Sequence, residues 1–280
     1  MKILRSIDII KRELDRRRAK GRTVGLVPTM GFLHEGHLSL IRKARKETDT
    51  VVVSIFVNPV QFGADEDYEE YPRDLKKDAA VCREAGVDYI FYPSAKGMYP
   101  KGYCTYVAVE GLTANLCGKH RPVHFRGVAT VVAKLFEITR PDIAYFGQKD
   151  AQQAVVIKRM ARDLDMDVRV KVMPVVREDD GLAMSSRNSY LSSDERMLAP
   201  TVYRALQLGR DLIKLGDRDA SNVISEMRRM LSRVVSKIDY ISIVDPDTLL
   251  DVKRIKGKVL IAAAVRFGNT RLIDNITVRG

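Results

Sequence analysis

The sequence predicts an α/β protein, a parallel sheet with crossover helices followed by a smaller α+β domain, and three observations predict it. Short β-prone runs alternate with helix-like runs over roughly the first 175 residues. Polar segments with phosphate-binding residue types follow the strand runs. After Pro174 the order changes to helices and then strands. Alternation favours a parallel sheet, whose ligand crevice lies at the carboxyl ends of its strands. The expected domains are therefore 1–175, carrying that crevice, and 176–280, smaller.

Ser6 heads an amphipathic helix with Ile7, Ile10 and Leu14 inward and Lys11, Arg12 and Arg16 to Arg18 on a solvated face. Thr23 to Val27 is β-prone and closed by Pro28, and Leu38 to Arg45 places Leu38, Ile41 and Ala44 at helical spacing. Val51 to Val57, Asp88 to Phe91, Ile143 to Phe146 and Asp167 to Val172 read as strands, with helices at Arg73 to Ala85, Val128 to Ile138 and Ala151 to Leu164 between them. Beyond Pro174, Asp194 to Leu215 and Ala220 to Lys237 read as helices. Tyr240 to Val244, Val259 to Val265 and Arg271 to Val278 then read as strands, with Gly268-Asn269 as the last turn. Gly63 to Glu70 is acidic and reads as a mobile surface loop, suited by its neighbour Gln61 to act as a lid.

With 280 residues, 45% of them hydrophobic, the chain can bury a sizeable core. It contains no run of about 18 apolar residues to span a bilayer and no apolar leader, which points to the cytoplasm and away from a membrane partner. Cys82, Cys104 and Cys117 are odd in number and unpatterned, fit reduced thiols, and receive no role. The net charge of +12 raises nucleic acid as a partner. Its basic residues are interleaved with acids, tryptophan is absent and aromatics are sparse, so no stacking surface emerges and no nucleic-acid partner is expected.

Chemistry concentrates in Pro28 to His37, which carries His34 and His37 three apart between a strand and a helix start. Unpaired N–H groups and the helix dipole favour an anion there, and Gly31 and Gly36 permit close approach. A capped helix start without chemistry, or half of a metal site, are the competing readings. A closed zinc site needs about four ligands, and Pro122 argues against His120 and His124 as a helical pair. Gly147-Gln148-Lys149-Asp150 supplies a close approach, a compact charge and a carboxylate, which suits phosphoryl chemistry or ordinary capping. Met184-Ser185-Ser186-Arg187-Asn188 can grip a triphosphate or build a turn.

Together, Pro28-Thr29-Met30-Gly31 with His34-Glu35-Gly36-His37, Phe56-Val57-Asn58-Pro59 with Gln61-Phe62, Phe146 to Asp150 with Gln152-Gln153, and Asp180 to Asn188 resemble the pantothenate synthetases, the pantoate:beta-alanine ligase family. The likeness spans nearly the whole chain, although its specific motifs stop near Leu191. Gln148 stands where an acidic residue is also familiar. Aminoacyl-tRNA synthetases and nucleotidyltransferases share the histidine motif, but not the joint set.

The resemblance implies a Rossmann-like sheet domain and ATP-dependent condensation of pantoate with beta-alanine through a pantoyl adenylate, with Mg²⁺ sharing the phosphate charge. It implies His34, His37 and Lys149 as catalytic groups. Met30, Gly31, His34, His37, Gly147, Gln148, Lys149, Asp150, Val176, Met184, Ser185, Ser186 and Arg187 would line ATP, and Gln61, Gln153 and Asn58 the pantoate. Tyr71, Arg121 and His124 are weaker additions, no protein-built metal site is expected, and a homodimer is implied. Ser192 lies outside the motif, so alanine there is expected to be nearly silent. A nucleotidyltransferase would instead keep the nucleotide in its product. A tRNA ligase would need a large anticodon-binding region, for which the residues after Pro174 leave little room.

Overall fold

The computed structural model describes residues 1–64 and 66–280. In chain order its elements are β1 (Lys2–Leu4), α1 (Ile7–Arg18), β2 (Val24–Thr29), α2 (Glu35–Glu47), β3 (Thr50–Ile55), α3 (Leu75–Glu84), β4 (Tyr89–Phe91), α4 (Ala95–Met98), α5 (Leu116–His120), α6 (His124–Thr139), β5 (Ile143–Gly147), α7 (Ala151–Asp163), β6 (Arg169–Met173), α8 (Ser193–Leu198), α9 (Thr201–Lys214), α10 (Ala220–Leu231), β7 (Lys237–Val244), β8 (Lys258–Phe267) and β9 (Thr270–Arg279). Single 3₁₀ turns occupy Pro59–Gln61, Gln148–Asp150 and Ser186–Tyr190.

The chain forms two compact units. The first comprises Met1–Glu110, Arg121–Gly147 and Val156–Pro174. Its six strands are all parallel in the order β1-β4-β3-β2-β5-β6. Strand alternation sends Val24, Leu26 and Val52 into one core with α1 and α6, and Val27, Val51 and Val53 into another with α2 and α3. Both faces of β3 are buried, as a central parallel strand requires. The chain runs one way from β2 through β3 to β4 and the other way through β5 to β6. The switch point, where such sheets bind ligands, thus lies between the carboxyl ends of β2 and β5.

The second unit comprises Gly111–His120, Gln148–Val155 and Val175–Gly280. Its antiparallel sheet, β7-β8-β9, packs α9 and α10 over Ile241, Ile261, Ala263 and Val265. The two residues between β8 and β9 are Gly268-Asn269, with Gly268 at φ +51°. Among the described residues, no helix is long and apolar enough to cross a membrane.

Several element boundaries depart from the sequence reading. β2 does not stop before Pro28 but runs to Thr29, whose carbonyl accepts the Phe56 N–H at 3.1 Å. Pro28 alternates with Thr29 and so presents its missing donor to the β5 side, where pairing has ended at Leu26. β3 stops at Ile55, opposite the end of β2. The helix expected over 194–215 is broken into α8 and α9, because Pro200 cannot continue the hydrogen-bond ladder. α10 ends at Leu231, and the segment read as its last turn joins the sheet, with Ser236 donating from its N–H and Oγ to Arg266 O. β1, too short to stand out in the sequence, pairs with β4.

Candidate active site

The turn after β2 is built from the chain outward. Thr29 Oγ1 donates to Ser54 O at 2.8 Å and accepts the Gly31 N–H at 3.1 Å. Gly31 adopts φ +87°, where a side chain would be strained and would also press on Asp78. The Asp78 carboxylate, buried on α3, accepts the N–H groups of Phe32 at 2.8 Å and Leu33 at 2.7 Å. Burial pushes its carboxyl above the usual range while those two bonds pull against the rise. An acid thus clamps the turn that presents the histidines.

α2 starts at Glu35 rather than Leu38, which makes His34 its N-cap and places His37 in its first turn. His34 Nδ1 accepts the Gly36 N–H at 3.1 Å, and His37 Nδ1 accepts the His34 N–H at 3.3 Å. Both rings therefore carry their proton on Nε2 when neutral, and the two centroids lie 4.1 Å apart. The histidines do cap a helix start, yet the cap itself fixes both as Nε2 donors at the positive end of a dipole.

A relay of amides adjoins the turn. Tyr99 Oη donates to Asn58 Oδ1 at 2.7 Å, and Asn58 Nδ2 donates to Gln61 Oε1 at 3.0 Å and to Gly127 O at 3.1 Å. Burial raises the Tyr99 pKa, which keeps the phenol a donor. This fixes the flip of Gln61, whose Nε2 points at the Met30 thioether, 3.1 Å away. Sulfur is a weak acceptor, so a carboxylate or hydroxyl can displace it cheaply. α6 reaches the Pro59–Gln61 turn only because residue 127 is glycine: a Cβ there would lie 2.3 Å from Val60 O. His124 opens α6 with Nδ1 3.0 Å from Gln61 O and Nε2 3.2 Å from Arg121. Arg121 grips Glu66 through Nε at 2.7 Å and Nη2 at 2.5 Å, and Arg73 binds the carbonyls of Tyr68, Glu69 and Tyr71. The acidic stretch expected to be a mobile loop is thus tied down at these residues; Asp65 within it lies outside the described residues. Tyr71 is buried against the Phe62 ring.

In the second unit, Gln148, Lys149 and Asp150 form a 3₁₀ turn, and Gln153 sits half-buried in the first turn of α7. Its neighbour Gln152 is buried and donates to the carbonyls of Leu112 at 2.9 Å and Asn115 at 2.8 Å. Val176 and Met184 pair across a small hairpin, Met184 N–H to Val176 O at 3.0 Å, closed at Gly181. Ser185 Oγ accepts the Arg187 N–H at 3.3 Å, and Ser186 is buried. Asn188 holds the loop through Glu178 Oε1 at 3.0 Å and Ala183 O at 3.1 Å. Ser192 caps α8: its Oγ accepts the Glu195 N–H at 3.3 Å, and Glu195 Oε2 accepts the Ser192 N–H at 2.9 Å. Removing this capping box is expected to lower stability while leaving the site untouched.

The structure brings Met30, Gly31, His34, His37, Asn58 and Gln61 together in the first unit, with Gly147 ending β5. Gln148 to Gln153 and Val176 to Arg187 belong to the second. Among the described residues no three His, Cys, Asp or Glu side chains are grouped to hold a metal ion. Asp78, Tyr99 and Gly127 escaped the sequence reading. Only Asp78 left a trace there: it is an acid on the apolar stripe Leu75, Ala79, Cys82 of α3.

A parallel sheet with a histidine-capped helix start at its switch point defines the class: an α/β protein whose ligand crevice holds a helix N-terminus that favours anions. The sequence model of the family described as pantoate-beta-alanine ligase matches residues 2–277. A protein from Caldicellulosiruptor saccharolyticus named pantothenate synthetase is 55% identical over 272 residues, 97% of this chain and 95% of that one. The crystal structure of pantothenate synthetase from Thermus thermophilus superposes with a TM-score of 0.94 at 47% identity, covering 99% of both chains. The pantoate-beta-alanine ligase from Francisella tularensis, solved with beta-gamma ATP and beta-alanine, gives a TM-score of 0.79 at 34% identity over 99% of this chain and 97% of that one. The chain belongs to the pantoate-beta-alanine ligase family.

Proposed function

We propose that this ligase condenses pantoate with beta-alanine in two steps at one ATP site, and that the cap which fixes His34 and His37 as Nε2 donors is what carries the first. In that step a pantoate carboxylate oxygen attacks the α-phosphorus. The bond to the β-phosphate oxygen breaks, and pyrophosphate leaves with the electron pair. No covalent nucleophile is needed; the chain has to align reactants and stabilise charge that grows on phosphate oxygens. His34 and His37 donate to that charge, and Lys149 adds a compact cation. Ser185, Ser186 and Arg187 hold the β- and γ-phosphates, while Met30, Gly31, Gly147, Gln148, Asp150, Val176 and Met184 line the nucleotide. Gln61, Asn58 and Gln153 orient pantoate, with the Gln61 Nε2 released from Met30 to a substrate oxygen. In the second step the beta-alanine nitrogen attacks the acyl carbon, AMP leaves with the C–O electron pair, and the amine loses a proton.

Mg²⁺ supplies charge neutralisation on the triphosphate when bound; with no protein cage among the described residues, phosphate oxygens and water would be its main ligands and Asp150 a supplementary one. The acyl adenylate is hydrolysable, so the 176–280 domain is assigned the task of closing over the ATP site to exclude water. A cytoplasmic homodimer completes the reading.

The test is AMP formation from ATP, magnesium and pantoate, with and without beta-alanine, and the acid product identified by mass. Pantothenate and AMP together, dependent on all substrates, support the reading. A product that retains the nucleotide would replace it with a nucleotidyltransferase.

A further inference from the structure

Lys149 and the segment Ser185 to Arg187 can work at the triphosphate only if something holds them still, and both lead to two adjacent residues of β9. Asn275 is 3% exposed, and its Nδ2 donates to two consecutive carbonyls, Gln148 O and Lys149 O, each at 2.9 Å. Its Oδ1 accepts from Gln148 Nε2 at 3.0 Å. One side-chain amide thus pins the whole Gln148-Lys149 turn. Neither an aspartate, which has no donor, nor an apolar isostere could do so.

Asp274 projects to the opposite face, as successive strand residues must. It is also 3% exposed and forms a two-pronged pair with Arg177, Nη1 to Oδ2 at 2.6 Å and Nη2 to Oδ1 at 3.0 Å. Arg177 donates onward to Gly181 O at 3.0 Å and lies 3.7 Å above the Tyr203 ring. It therefore fixes the hairpin that runs through Val176 and Met184 into the serines. The Asn275 N–H donates to Asp274 Oδ1 at 2.7 Å, which joins the two grips.

We propose that Asn275 and Asp274 are positioning residues of the ATP site, through which β9 fixes Lys149 and the Ser185 to Arg187 segment in register with each other. Neither touches substrate in this scheme. The proposal rests on the assignment of those two segments to ATP.

The experiment compares Asn275→Ala with Val278→Ala, a buried apolar truncation on the same strand. Each is assayed for thermal stability, for affinity towards a non-hydrolysable ATP analogue by calorimetry, and for the KM of ATP and of pantoate. The expected result is a loss of about tenfold or more in ATP affinity for Asn275→Ala, with a pantoate KM within about twofold of wild type. Val278→Ala should melt earlier and leave both constants near wild type. ATP affinity unchanged in Asn275→Ala, or lowered equally in Val278→Ala, overturns the proposal. If Asn275→Ala does not fold, Arg177→Lys decides: it keeps the charge but loses the fork and the stacking. It should raise the ATP KM alone, and an unchanged ATP affinity counts against the proposal. A wild-type protein that binds the analogue but makes no pantothenate would instead remove the ligase reading, leaving the analogue titration to judge Asn275.

Discussion

His37 accepts the backbone N–H of His34 on its Nδ1, so the helix cap and the protonation pattern of the histidine pair are one structure. A ring in that state donates only from Nε2, whichever anion arrives. Two adjacent imidazoles oriented by the same turn concentrate Nε2 donors at one helix N-terminus, which the proposed first step would use against the charge growing on pyrophosphate.

His37→Ala or Lys149→Ala should slow pantoate-dependent pyrophosphate release by about 10² or more, the scale of one lost transition-state donor. Circular dichroism melts should stay close to wild type for Lys149→Ala. Near-normal release in both variants would remove these residues from the first step.

Asp78→Ala should cost about 2–3 kcal/mol of stability, since the Phe32 and Leu33 N–H groups lose a charged acceptor. Asn at 78 retains one acceptor oxygen and should restore part of the loss. Urea unfolding of both variants checks the order; equal losses would mean that one neutral amide oxygen recovers nothing and that the two-oxygen, charged carboxylate carries the whole effect.

Gly127→Ala places a methyl 2.3 Å from Val60 O and should push α6 away from the Pro59–Gln61 turn. The expected readout is a raised pantoate KM together with a stability loss of about 1–3 kcal/mol, the range of overpacking. A stable variant with an unchanged pantoate KM would separate this approach from the substrate.

Ser192→Ala should leave turnover unchanged and cost about 1 kcal/mol or less of stability, as expected for loss of an exposed capping box. Chemical denaturation beside a steady-state assay distinguishes this from complete silence.

Glu47 gathers Lys171, Lys43 and the buried Tyr145 hydroxyl, and the lysines hold its carboxyl down at about 2, against an ordinary 4.5. Because the folded value is the lower one, the stabilisation is present above the ordinary value and is lost as pH falls from there through about 2. Glu47→Gln should be less stable than wild type at pH 7, by no more than about 1 kcal/mol for so solvent-accessible a cluster. The gap should close on acidification. A gap that is constant across that range would assign the effect to packing.

The sheet and the histidine turn were legible in the sequence because both are local: β-prone runs of a few residues, and imidazoles three apart at a helix start. The supports of the site were not. Asp78 reaches back 45 residues to Leu33, Tyr99 reaches 41 to Asn58, and Asn275 reaches 126 to Lys149. No periodicity encodes such pairs, since each depends on strand order and on which helix face is buried. Pro28 misled for a related reason: its cost depends on which neighbouring strand faces it, and pairing with β5 had ended.

The grip of Asn275 on Gln148 and Lys149 also orders events during synthesis. A growing chain presents Lys149 well before β9 exists, and until β9 arrives those two carbonyls lack the amide that pins them. Chains interrupted between β6 and β9 contain every strand of the parallel sheet yet lack the side chain that fastens the lysine turn.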